Sequence, residues 1–207
     1  MRFPMQTSAS SAPPNKNEAD AIPTDRSLVP RNRLIVFSTI AIAGGVLDLS
    51  TKSWMFAHLG MPGGNVWWLW EGVFGFQTSL NQGALFGLGQ GFAMVFAALS
   101  ILAALGILYW LFVAGAAQDW LLTISLAMIS AGILGNLFDR LGLHGLKSPA
   151  GEALYAVRDF VLVMIGKHAW PNFNIADSFL VCGAGLLVLH SILTRSPATD
   201  ADTEPVA

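Results

Sequence analysis

Four apolar stretches, residues 34–56, 92–113, 120–138 and 178–193, constrain this chain more than anything else in it. Each is near the roughly 20 residues that a helix needs to cross the hydrocarbon core of a bilayer. Lipid offers the backbone no hydrogen-bonding partner, so such stretches must close their N–H and C=O groups internally, as helices. Composition agrees, because 54% of the 207 residues are hydrophobic, only 12% are charged, and the mean hydropathy is +0.57. A water-solvated domain cannot be built with so few charges. The sequence therefore reads as an α-helical integral membrane protein with four transmembrane helices.

Polar, non-periodic sequence flanks this core, and residues 1–33 and 196–207 read as flexible cytoplasmic tails around a membrane domain at 34–195. The first tail does not resemble a cleavable signal peptide, since its apolar run begins only at Leu34. Arg26, Arg31 and Arg33 precede the first span and argue for a cytoplasmic N-terminus; four spans then return the C-terminus, with Arg195, to the same side. Residues 57–91 contain no Lys or Arg and suit the outer face, whereas residues 140–176 carry four basic residues and resist that assignment. On that outer side Val66-Trp-Trp-Leu-Trp70 suits the headgroup level, and residues 73–86 suggest short strands or turns of a small β-containing subdomain. Residues 153–165, apolar apart from Arg158 and Asp159, are too short to span and read as an interfacial helix or re-entrant segment.

Several function classes are excluded or disfavoured. A net charge of −2 provides no basic field, so nucleic acid is not an expected partner. The one cysteine, Cys182, can form neither an internal disulfide nor a cysteine cage, and reads as a small packing residue in the fourth span. His58, His144, His168 and His190 are scattered without metal-ligand spacing, so no metal is expected. Lys52 near Ser50 and Ser53 lacks the setting of a Ser–Lys nucleophile, and Gly87-x-Gly-x-Gly91 follows no buried strand that would make it a phosphate loop. No internal repeat suggests an inverted-repeat transporter.

What remains is an inventory of carboxylates in apolar context: Asp48, Asp139, Asp159 and Asp177. Ionised groups at such depth are costly unless paired or solvated, which marks them for function. By the topology above all four lie near the outer surface. Two carboxyls held close cannot both ionise cheaply; they share a proton, so that one activates water while the other polarises a carbonyl. A small transporter or proton-conducting subunit would also keep buried carboxylates, but would spread them through the membrane depth.

Five blocks carry a resemblance: Asp48-Leu-Ser-Thr-Lys52, Asn81-Gln-Gly-Ala-Leu-Phe86, Gly135-Asn-Leu-Phe-Asp-Arg140, Val157-Arg-Asp-Phe160 and Phe173-Asn-Ile-Ala-Asp-Ser178. In this order, on four spans, they resemble the lipoprotein signal peptidase (signal peptidase II) family of bacterial membrane aspartyl proteases. The resemblance implies an endopeptidase without cofactor, set in the inner membrane with its site at the outer face. Its substrates would be prolipoproteins carrying diacylglycerol, cut just before the lipidated cysteine, with membrane lipids as surroundings. It implies Asp159 and Asp177 as the catalytic pair. Asn81, Asn136, Asp139, Arg140 and Asn174 would line the site and position substrate, with Asp48 and Lys52 in support. Three features depart from the family pattern: Leu49, Leu85 and an unusually long stretch between Leu141 and Arg158. Other readings stay open: Asp139 with Arg140 as a helix-end ion pair, Asn136 as interhelical glue, Asp48 with Lys52 as a structural pair, and Asp177 as a helix cap.

Overall fold

The computed structural model describes residues 29–83 and 89–194. Most of the two expected tails, including Arg26 and Arg195, lies outside these residues, as do Leu85 and Phe86 of the second block. Four helices are long and apolar enough to cross a membrane. They are α1 (Arg31–Leu59), α2 (Ala93–Leu108, continued by a π-helical turn over Tyr109–Val113), α3 (Trp120–Arg140) and α4 (Ile175–Leu193). At 29 residues α1 is about 43 Å long at 1.5 Å per residue, so it overshoots a roughly 30 Å hydrocarbon core. It begins at Arg31, inside the stretch read as tail, because Arg33 has partners: its guanidinium donates to the carbonyl of Ala117 at 3.1 Å and lies 3.3 Å from the centroid of the Trp120 ring.

The helix α3 is the centre of the bundle: 61% of its most apolar stretch is buried, against 28% or less for the other three. Leu34, Ile42 and Val46 on α1, Leu99, Leu102 and Leu105 on α2, and Val181, Val188 and Ile192 on α4 are all at least half exposed. In water such a belt would aggregate; in a bilayer it is the lipid-facing surface. Cys182 stands on this outward face of α4 and is exposed, so its expected packing role is not what the fold gives it. Helix contact in lipid depends on close approach of small residues, and Gly132 shows why. A Cβ there would stand 2.5 Å from the Ala176 carbonyl oxygen, so α3 and α4 could not meet at their present distance with any other residue.

Above one end of the bundle sits a four-stranded antiparallel sheet, ordered β1-β2-β3-β4, of β1 (Trp67–Trp70), β2 (Phe74–Asn81), β3 (Val157–Ile165) and β4 (His168–Ala169). This corrects the expectation for residues 153–165. From Val157 on they form a strand, not an interfacial helix or re-entrant piece, pairing Ser79 with Asp159 and Asn81 with Val157. Its first six residues are buried, one face against the membrane helices. A short, continuously apolar run has no period by which strand and helix can be told apart. Met55 of α1, Phe160, Val161 and the half-buried Phe173 and Ile175 form the apolar joint that seats the sheet on the bundle. A chain of rings, Trp54 to Trp67 to Phe76 to Phe160, with centroids 5.8, 5.6 and 6.2 Å apart, ties α1 across β1 and β2 to the residue beside Asp159.

Candidate active site

Every site residue expected from the sequence lies at this same end of the bundle. Asp48 and Lys52 come from α1, Asn136, Asp139 and Arg140 from the end of α3, Asn81 from the end of β2, Asp159 from β3, and Asn174 and Asp177 from the start of α4. The start of α4 is fixed by a reciprocal cap. The Asn174 side chain accepts from the Asp177 N–H at 2.9 Å, while the Asp177 carboxylate accepts from the Asn174 N–H at 3.2 Å. Asn174, not Asp177, therefore occupies the N-cap position, while Asp177 in the first turn shares in the cap as the acceptor of the Asn174 N–H. This cap leaves the other amide of Asn174 free to reach inward, and its Nδ2 donates to Asp159 Oδ1 at 2.6 Å. One asparagine thus touches both aspartates.

Asn136 makes the second link. A lysine has only donors, so Lys52 Nζ must face the Oδ1 of Asn136, 2.9 Å away, and this turns the Asn136 Nδ2 toward Asp177 Oδ1, also at 2.9 Å. Lys52 is fully buried and holds two carboxylates as well, Asp48 at 2.7 Å and Asp139 at 3.2 Å. Asp139 in turn receives the Arg158 guanidinium, 2.9 Å from its Oδ1, and the Arg158 backbone N–H, 2.9 Å from its Oδ2. Two buried carboxylates are thus matched by two cations. Asp48 also accepts from the Ala176 N–H at 2.8 Å, and Gly135 is where it fits: a Cβ there would collide with the Asp48 carboxylate. Both readings of Asp48 with Lys52 meet here, since the pair is structural and its lysine orients a residue that touches Asp177.

Asp139 does not pair with its neighbour Arg140. Adjacent residues on a helix point about 100° apart, and Asp139 turns inward to Lys52 and Arg158 while Arg140 reaches toward the Gly83 carbonyl at 3.5 Å, with the Phe96 ring 5.7 Å away. Arg140 remains within electrostatic reach of both Asp177 and Asp159. Asn81 reaches the Asp159 carboxyl with its side chain and holds the following turn by accepting from the Gly83 N–H at 2.9 Å. Arg158, which holds Asp139, is the residue of this network that reading for carboxylates missed. Its signal was its place inside an otherwise apolar strand, where a cation needs an anion.

Burial pushes the Asp159 carboxyl up to about 8, and the nearby charge of Asp177 adds to the shift. Asp159 is 2% exposed, whereas Asp177 is only half-buried. The two carboxyls therefore sit in unlike environments on one hydrogen-bonded network, the arrangement that lets one hold a proton while the other is ionised. Among the described residues no group of three His, Cys, Asp or Glu is placed to hold a metal ion.

A family model described as signal peptidase (SPase) II matches residues 40–193, which takes in most of α1, the other three helices, the sheet and all of these residues. The chain belongs to the signal peptidase II family. A lipoprotein signal peptidase of Rhodopirellula baltica is 47% identical, over 78% of this chain and 74% of the relative. One of Syntrophus aciditrophicus is 32% identical, over 77% and 93%. Among solved structures, a bacterial membrane enzyme studied by the in meso method superposes with a TM-score of 0.65 at 22% identity, covering 86% of this chain and 97% of its own. At that identity the likeness speaks for the fold, four spans with a small sheet at one end. Membership of the signal peptidase II family makes the chain a membrane aspartyl peptidase.

Proposed function

We propose that this peptidase removes the signal peptides of diacylglyceryl-modified prolipoproteins by cutting before the lipidated cysteine, with Asp159 and Asp177 as its catalytic pair. The observation that carries the assignment is Asn174, whose one side chain bonds Asp159 and the backbone of Asp177 together. Asp159, carrying the proton that burial favours, donates it toward the scissile carbonyl oxygen. Asp177, which accepts from Asn136, takes a proton from water as the water oxygen attacks the carbonyl carbon. The tetrahedral intermediate collapses when that proton passes to the leaving nitrogen, the C–N bond breaks, and Asp159 recovers its own. Asn81 and Arg140 flank the pair and serve to position the peptide; Lys52, Asp48, Asp139 and Arg158 hold the frame. An apolar groove of about 340 Å³ runs between α2, α3 and α4 past Phe96, Leu99, Ile133 and Leu180 and ends at Asn136 and Arg140. Its chemistry suits the apolar helix of a signal peptide and leads it to the pair.

The same reading places the site at the outer face of a bacterial inner membrane and both termini in the cytoplasm. Four basic residues at the site end weighed against this orientation. Two of them, Arg158 and Arg140, point into the protein and do not act as loop charges, which leaves Lys147 and Lys167. Cleavage of a lipidated prolipoprotein by the purified protein tests the activity. For orientation, a Cys182→Ala background carrying a cysteine at Gly64 should react with an impermeant thiol reagent on intact cells, and one at Ala201 should not; the reverse result would put the site on the other face.

A further inference from the structure

The long stretch between Leu141 and Arg158 folds as a hairpin standing on the end of α3. Lys147 bridges Ala153, Leu154 N–H donates to the Leu146 carbonyl at 3.1 Å, and Ser148 N–H to the Glu152 carbonyl at 2.8 Å. Its base is fixed by close packing: at Gly142, with φ +70°, a Cβ would stand 3.1 Å from the Tyr155 ring. Between this hairpin and residues Gln82, Gly91 and Met94, which follow β2 and open α2, lies a cleft of about 270 Å³, lined on its other side by Ser148, Glu152, Leu154 and Tyr155. Among the described residues Glu152 is its one charged lining residue. The cleft begins one residue beyond Asn81 and two before Val157, so it continues the site along the ends of β2 and β3. It also lies past the helix ends, beyond Arg140 of α3 and around the first turn of α2.

We propose that this cleft receives the first residues of the mature chain, those that follow the lipidated cysteine, and that Glu152 sets a preference for cationic over anionic side chains there. The inference rests on the peptidase reading above. A peptide threaded through the site has its apolar part in the groove between α2, α3 and α4, so its other end must leave where the helices stop. The cleft found there is mixed polar and apolar, which suits a polar extended chain and not a lipid-embedded helix. An exposed carboxylate beside that path attracts Lys or Arg and repels Asp or Glu, by an amount set by a solvent-screened pair.

The test uses the full chain in proteoliposomes and three diacylglyceryl-modified prolipoprotein peptides that differ only at the second and third residues after the cysteine, carrying Lys, Gln or Asp. The wild type should show kcat/KM for Lys over Asp of about 3 to 5, the size of an exposed charge pair. Glu152→Lys should invert that ratio and Glu152→Gln should bring it to about one, with the rate on the Gln peptide serving as the internal reference for each protein. The Gln variant serves should the Lys variant not accumulate. Equal ratios in wild type and variants would overturn the inference while leaving the peptidase reading intact. A ratio that follows the charge of the vesicle lipid and not that of the peptide would also overturn it. Failure of the wild type to cut any of the three peptides would overturn both readings.

Discussion

The two ends of the helix bundle solve the same problem, charge beside lipid, in opposite ways. At the site end Asp48, Lys52 and Asp139 are fully buried, Arg158 nearly so, and the carboxylates are matched in number by cations and satisfied by backbone N–H groups. At the far end Asp119 caps α3 by accepting from the Leu122 N–H at 2.8 Å and meets His190 of α4 at 3.0 Å, but with 43% and 22% of those side chains exposed. Water completes what the protein leaves undone there. At the site end nothing but the protein can, so each buried ion depends on its partner, and removing one leaves another stranded.

That contrast is broken most directly at Lys52. Lys52→Met fills a similar volume but strands Asp48 and Asp139, and should cost about 3–5 kcal/mol in detergent unfolding, with lower accumulation in the membrane. Adding Asp48→Asn should restore part of it, whereas Arg33→Met at the far end should cost no more than about 1 kcal/mol. Equal losses at the two ends would mean that burial does not govern these ions.

Asp159→Asn and Asp177→Asn should each lower turnover at least about a hundredfold, the low end of acid–base catalysis, with the protein still accumulating. Asp159→Asn should also raise the unfolding temperature at pH 8 and above. The reason is the sign of the shift: a carboxyl whose folded pKa is raised from 3.8 to about 8 stabilises the fold fully below 3.8 and loses that contribution as pH rises through about 8. In the proposed mechanism the same proton serves catalysis, so wild-type activity should fall on the alkaline side near pH 8, a limb that belongs to the pair and not to one residue. A rate flat from pH 7 to 10 would remove Asp159 from the acid role. Arg140→Ala should lower turnover by a smaller factor and shift the unfolding temperature less than Lys52→Met does, since its proposed role is to orient substrate and it holds no carboxylate in a direct ion pair. The smallest effect is expected at Asp119→Ala, about 1 kcal/mol for a lost helix cap. Asp119 is held below its usual range first by the Leu122 N–H, so its contribution is present at neutral pH and vanishes in acid as the carboxyl protonates.

Much of this was legible in the sequence, for unequal reasons. The four spans stand out because lipid imposes a length and a polarity that no loop imitates, and their true ends differ from the apolar runs by a few residues only. At α4 the three-residue difference has a cause that could have been read: Asn174-Ile-Ala-Asp177 is a capping-box pattern set before an apolar run. The strand at Val157–Ile165 could not be read from periodicity, because burial of its first six residues erases the alternation that marks a strand. The partners of Asp139 were hidden for a different reason. Arg158 is 19 positions away, and sequence proximity offered Arg140, which the helix turns to another side. The proposed catalytic pair came from the resemblance of five motifs, not from any single spacing.

The reciprocal cap at α4 has a consequence for motion. The first amides of a helix ordinarily have no acceptor, so this turn frays and exchanges its protons with solvent readily. Here the N–H groups of Asn174, Ala176 and Asp177 each have a side-chain acceptor, in Asp177, Asp48 and Asn174. The turn that bears Asp177 should therefore exchange deuterium as slowly as the middle of a helix, and a substrate would meet an aspartate that is already held still.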